Sequence, residues 1–181
     1  MKPSTKKVVL IALIGAIVLL WFADEYPAMR FRGDGTFSGG PVFGYEIRLR
    51  SIPFYKSGEY VFHFRGMPNE EMSLQLYAEG KTDRDRAELT QLETTLDAQL
   101  LDGRGQAVCQ ATGMAREGQS ERSWVLMSTV NAVAFWHWNC VHFQLKSSDV
   151  YTLTLRIRNV DPKTPRINLL PVLEGGQLDY P

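Results

Sequence analysis

Histidine and cysteine are scarce in this chain, with three and two among 181 residues. Two thiols are too few for a disulfide-dense mini-protein or a four-cysteine zinc site. No HxH or HExxH spacing occurs, so no metal site is expected. Net charge is lacking too: 20 Lys and Arg stand against 20 Asp and Glu. A dedicated nucleic-acid binder carries a basic excess, so no nucleic-acid partner is expected. There is no GxSxG, no glycine-rich phosphate loop and no kinase-type catalytic set. Carboxylates are scattered, so no catalytic residue is assigned and no cofactor is expected. Amphipathic helical patterns are also missing, with one short exception over 83–92.

What is present begins at the N-terminus. Lys2, Lys6 and Lys7 precede an uncharged run, Val8 to Ala23, of 16 residues. A spanning helix needs about 20 apolar residues, with a lower limit near 17. Lys6 and Lys7 lengthen the run by reaching the interface with their ammonium groups, and Trp21 adds an interfacial aromatic. A cleaved signal needs small residues one and three positions before the cut. A cut after Ala23 puts Trp21 in the third position, and a cut after Ala28 puts Tyr26 there. An uncleaved signal anchor is therefore expected, with secretion after cleavage as the alternative. The basic flank predicts 1–7 in the cytoplasm and the rest across the membrane. The absence of any Asn-x-Ser/Thr sequon is compatible with a bacterial envelope protein, so an inner-membrane anchor with a periplasmic domain is expected. That exported part holds 17 basic and 20 acidic residues, a net charge of −3.

Residues 24–41 are punctuated by Pro27, Gly33, Gly35, Gly39, Gly40 and Pro41, which reads as a spacer loop. Period-two alternation then dominates 42–181. Tyr60, Phe62 and Phe64 share one face; Met72, Leu74, Leu76 and Ala78 share another, opposed by Ser73, Gln75 and Tyr77. Leu92, Leu96, Ala98 and Leu100 form a third face, and Tyr151, Leu153, Leu155 and Ile157 a fourth. Asp102-Gly103-Arg104-Gly105 is a hairpin turn. Strands are also expected over 45–50, 106–112, 124–130, 135–145 and 167–173. About nine strands without crossover helices predict an all-β fold, an antiparallel sandwich of jelly-roll or immunoglobulin-like topology.

The segments GEYVFHFRGMP, LLDGRGQAVC and YTLTLRIRNVDPKTPRINLLPVLEGG resemble small bacterial envelope β-sandwich proteins of unknown function. The last segment is also similar to the closing strands of jelly-roll carbohydrate-binding modules. The resemblance implies a fold, an envelope location and a binding role. It carries over no site residue.

Four features are candidates for chemistry. Cys109 and Cys140 pair in an oxidising compartment if their Cα atoms come within about 7 Å; otherwise they are two buried thiols. Phe135-Trp136-His137-Trp138 is the densest aromatic cluster. On a strand, Trp136 and Trp138 share a face, which is either sandwich core or a binding platform; core is expected for at least one of them. Trp124 joins these two as a potential binding surface. His137 and His142, five apart on one strand, face opposite sides and do not converge. The mixed-charge run Lys81 to Arg86 reads as a solvated loop. The leading expectation is an anchored envelope protein whose sandwich binds a partner protein, in an accessory or immunity-like role. Carbohydrate or cell-wall binding is the second reading, and an uncharacterised hydrolase the third.

Overall fold

The computed structural model describes residues 13–15, 30–40, 44–116 and 123–176. Among them no helix is long and apolar enough to cross a membrane. Residues 13–15 are helical, and the rest of the expected anchor lies outside the described residues.

The fold is mostly antiparallel β. Its strands are β1 (Arg32–Gly33), β2 (Thr36–Gly40), β3 (Gly44–Arg48), β4 (Ile52–Pro53), β5 (Gly58–Arg65), β6 (Glu71–Ala78) and β7 (Gln91–Leu101). There follow β8 (Ala107–Arg116), β9 (Trp124–Thr129), β10 (Ala132–Trp136), β11 (Phe143–Gln144), β12 (Val150–Arg158) and β13 (Asn168–Gly175). Hydrogen bonds run in the order β1-β5-β12-β7-β8-β9-β10-β6-β13-β3-β2, with β11 on β6 and β4 on β13. One joint divides this path into halves. β8 and β9 pair through only Ala115 with Trp124 and Arg116 with Val125, in parallel. This is a correction to the expectation of purely antiparallel pairing: the chain leaves β8 and re-enters beside it rather than turning back in a hairpin.

The alternation read from the sequence is the burial pattern observed. Phe62 and Phe64 of β5, Leu92, Leu96 and Leu100 of β7, and Tyr151, Leu153, Leu155 and Ile157 of β12 point inward from one half. Ile47 of β3, Met72, Leu74 and Leu76 of β6, Phe135 of β10, and Leu169 and Leu173 of β13 point inward from the other. Both sets merge into one core, as in a β-sandwich. Burying residues of this size contributes roughly 1.5–3 kcal/mol each.

Residues 32–40 are not spacer. β1 pairs with β5 in one half and β2 pairs with β3 in the other, so this short stretch straps the two open edges together. Phe31 is buried just before it. Gly33 has φ +137, and a Cβ there would meet the His63 carbonyl oxygen at 2.1 Å. Glycine is thus required by close backbone approach, not by flexibility.

The expected strand over 135–145 is also corrected. Trp136 ends β10, and Trp138–Cys140 form a single 3-10 turn before β11. The 83–92 pattern becomes a 3-10 turn, Asp83–Asp85, and one helical turn, Arg86–Leu89. Thr82 and Asp85 cap that start reciprocally, and Lys81 pairs with Asp85 and Glu88. The Lys81 to Arg86 run is therefore a folded connection.

Candidate functional site

Two outer faces are available. The β5–β12–β7–β8 face is a ladder of neutralised charge. Arg156 pairs with Glu59 at 2.5 Å, Arg158 grips Asp97 through two bonds of 2.6 and 2.9 Å, and Thr112 donates to Asp97. Exposed pairs of this kind stabilise by about 0–1 kcal/mol each and leave little for a ligand.

The other face carries the aromatics. The connection from His137 to His142 leaves β10, rises as the 3-10 turn and returns to β11. It is fastened at several points. Cys140 is bonded to Cys109 of β8, with Cα atoms 5.0 Å apart. The His142 amide donates to Ser73 Oγ at 3.1 Å, and His142 Nδ1 lies 2.5 Å from Glu71 Oε1. His142 has φ 58, a left-handed conformation that non-glycine residues seldom adopt. His137 points inward, buried edge-on against Trp124 with ring centroids 5.6 Å apart. Its Nδ1 accepts from the Asn139 amide at 3.2 Å. Its Nε2 is buried without a hydrogen-bond partner. Burial holds this imidazole below its ordinary pKa, and the Thr112 backbone opposes the shift.

Trp138 stands on this fastened connection and is 45% exposed. It meets the half-buried Trp136 edge to face, with centroids 4.5 Å apart and planes at 71°. The expectation of core for one of the two is corrected. Alternation puts Phe135 and His137 inward, His137 beside Trp124, so Trp136 and Trp138 share the outer face instead of the core face. Trp124, in contrast, is fully buried and its Nε1 donates to the Leu96 carbonyl at 2.8 Å. It belongs to the core and is no binding surface.

Trp136 is the cross-strand neighbour of Gln75 on β6. From there a groove of about 410 Å³ runs along the face, lined by Glu70, Glu71, Ser73, Gln75, His142 and Glu174 with Gly175 and Gly176. β6 supplies Glu71, Ser73 and Gln75 because they alternate with the buried Met72, Leu74 and Leu76. β13 supplies Glu174 opposite Ser73. A Cβ at Gly175 would meet the Glu71 carbonyl oxygen at 2.0 Å, so the floor admits only glycine there.

Glu174 is the focus of the polar set. Its two oxygens accept from Tyr77 Oη at 2.8 Å and Gln75 Nε2 at 3.0 Å. Burial pushes its carboxyl pKa up; the Tyr77 hydrogen bond opposes this, the Glu46 charge adds to it, and Arg48 opposes it. Tyr77 is raised in turn, by burial first and then by Glu174. Gln75 Oε1 is buried without a hydrogen-bond partner. Arg48 is tied to Glu46.

Of the residues singled out from the sequence, Cys109, Cys140, Trp136 and Trp138 come together here. Gln75, Glu174, Glu71, Ser73 and His142 were not singled out as a site. The polar side of β6 was visible as alternation; its partnership with Glu174, about a hundred residues away, was not. Among the described residues, no three His, Cys, Asp or Glu gather to hold a metal. A scan of protein-family models and searches of curated proteins and of solved structures give no match to this chain.

Proposed function

We propose that this chain is a membrane-anchored envelope protein whose sandwich binds saccharide on the Trp136–Trp138 face. One observation carries the reading: Trp138 stays 45% exposed although a disulfide and two His142 contacts fasten its connection. Exposing a large apolar ring on a rigid support beside a polar groove suits a ligand with one apolar face and many hydroxyls. The adjoining Glu, Gln and Ser side chains offer acceptors and donors for those hydroxyls. A flat protein-docking patch has less support: exposed Tyr55, Val61, Met127, Val130 and Val150 are spread over β5, β9, β12 and two connections. The chain alternates between the two halves from β5 to β7 and again at β12 and β13, which supports a jelly-roll-like topology.

Anchoring rests on the 16-residue apolar run after three lysines. It predicts retention in the membrane after alkaline carbonate washing, with Met1 to Ala23 intact. A mature N-terminus between Asp24 and Met29 overturns it. For the ligand, screening the full-length protein in detergent against an array of envelope-type glycans tests the reading. Binding should be lost in Trp138→Ala with no change in fold. Glycan binding that is indifferent to Trp138, or no glycan binding, sinks it.

A further inference from the structure

On the anchoring reading, the groove sits at the end of the domain that the chain enters at Arg30. Arg30 is wedged against Gly66, at the close of β5: a Cβ on Gly66 would meet the Arg30 carbonyl oxygen at 2.2 Å. From Gly66 the chain crosses between the halves and reaches Glu70, which lines the groove. Gly175 and Gly176, where β13 ends, line it at the same level. Arg30 already contacts Gly66 and β1 begins at Arg32, so on the anchoring reading only residues 24–29 separate Ala23 from the domain. Fully extended, six residues span about 20 Å, and Gly66 to Glu70 adds about 14 Å. A domain so tethered keeps this end within about 35 Å of the bilayer.

The groove's charge narrows the choice of occupant at that surface. Among the described residues its lining holds Glu70, Glu71 and Glu174 with no Lys or Arg, the His142 ring is engaged with Glu71, and the nearby Arg48 is paired with Glu46. A phosphate headgroup would meet three carboxylates with no unpaired cation in the described lining. A neutral sugar headgroup meets acceptors for its hydroxyls and an aromatic edge at Trp136 and Trp138.

We infer that the saccharide bound here is the uncharged sugar headgroup of a glycolipid in the same membrane. The inference rests on the anchoring and saccharide readings above. The short tether then acts as an effective-concentration device: a weak site for the free sugar is filled because the lipid is always near.

The test uses full-length protein in two settings. In detergent, calorimetry measures binding of the free diglucosyl headgroup. In vesicles of phosphatidylethanolamine and phosphatidylglycerol, a photoactivatable diglucosyl diacylglycerol reports occupancy by crosslink yield. Each setting compares the parent, Trp138→Ala, and a variant with about 30 Gly and Ser residues inserted between Glu25 and Tyr26. The expected result is weak free-sugar binding that the insertion leaves unchanged, and a crosslink yield that the insertion lowers several-fold. Trp138→Ala should lower both. A yield unaffected by the insertion, or equal crosslinking to a photoactivatable phosphatidylglycerol, overturns the glycolipid inference while saccharide binding stands. Absence of both free-sugar binding and crosslinking removes the saccharide reading and this inference with it.

Discussion

Cys140 is bonded to Cys109 two residues beyond the exposed Trp138, in the same 3-10 turn. Both cysteines are buried, so the bridge is shielded from solvent while the side chain it supports is not. The bond joins the connection after β10 to β8, on the other half of the sandwich.

Cys140→Ser should therefore act twice. Loss of a native disulfide costs roughly 2–5 kcal/mol in a small secreted domain. Denaturant unfolding of parent and variant should show a drop of that order. At temperatures where the variant is still folded, ligand affinity should fall further than folding alone explains, because Trp138 loses its support. Full affinity in the folded variant contradicts a supporting role.

The tryptophans should separate cleanly. Trp138→Ala removes an exposed ring and one aromatic pair contact, a cost of about 1 kcal/mol. Trp124→Ala removes a fully buried ring and its bond to Leu96, a cost of roughly 3–5 kcal/mol. Thermal melts of the two variants decide this. Equal shifts would falsify the division into core and surface.

Glu174 should make stability pH-dependent. Its folded-state pKa is raised above the ordinary carboxyl value of 4.5. The stability it contributes is then present below 4.5 and lost as pH rises through the raised value. Glu174→Gln should be more stable than the parent at neutral pH, and the advantage should vanish in acid. With the Gln75 amide flipped, so that its Oε1 replaces the Nε2 that now donates to Glu174, the new amide can accept from Tyr77 and donate to Gln75. Chemical denaturation from pH 4 to 8 measures the difference; a destabilised variant at neutral pH counts against this account.

His137 has the opposite slope. Its pKa lies below the ordinary 6.5 because the ring is buried. The unfolded chain binds this proton more readily, so stability falls as pH drops through 6.5 toward the lowered value. His137→Gln keeps an acceptor for the Asn139 amide and removes the titration. Its stability should be flatter than the parent's between pH 7.5 and 5, in denaturant titrations at each pH. An unchanged slope would assign the acid sensitivity elsewhere.

The strands that bury one face were legible in the chain itself. On β5, β6, β7 and β12 every second residue must be apolar to reach the core, and that period survives in the order of residues. The hairpin at Asp102 was equally local: Asp102 Oδ1 accepts from the Arg104 and Gln106 amides, and Gly105 takes φ +76. Nearness of Cys109 and Cys140 was suggested by their number and not by their positions. Tertiary structure alone decided the rest. The glycine-rich stretch 32–40 has no alternation of its own and becomes strand by pairing with β5 and β3. That Trp136 and Trp138 share a face follows from the period; that the core takes Phe135 and His137 and leaves the tryptophans outside was decided by packing. Ser73, Gln75 and Glu174 meet because β6 and β13 lie in register, a long-range pairing to which no local period points. Local patterns encode which face is buried, since burial acts on each residue in turn; what gathers on the outer face depends on which strands become neighbours.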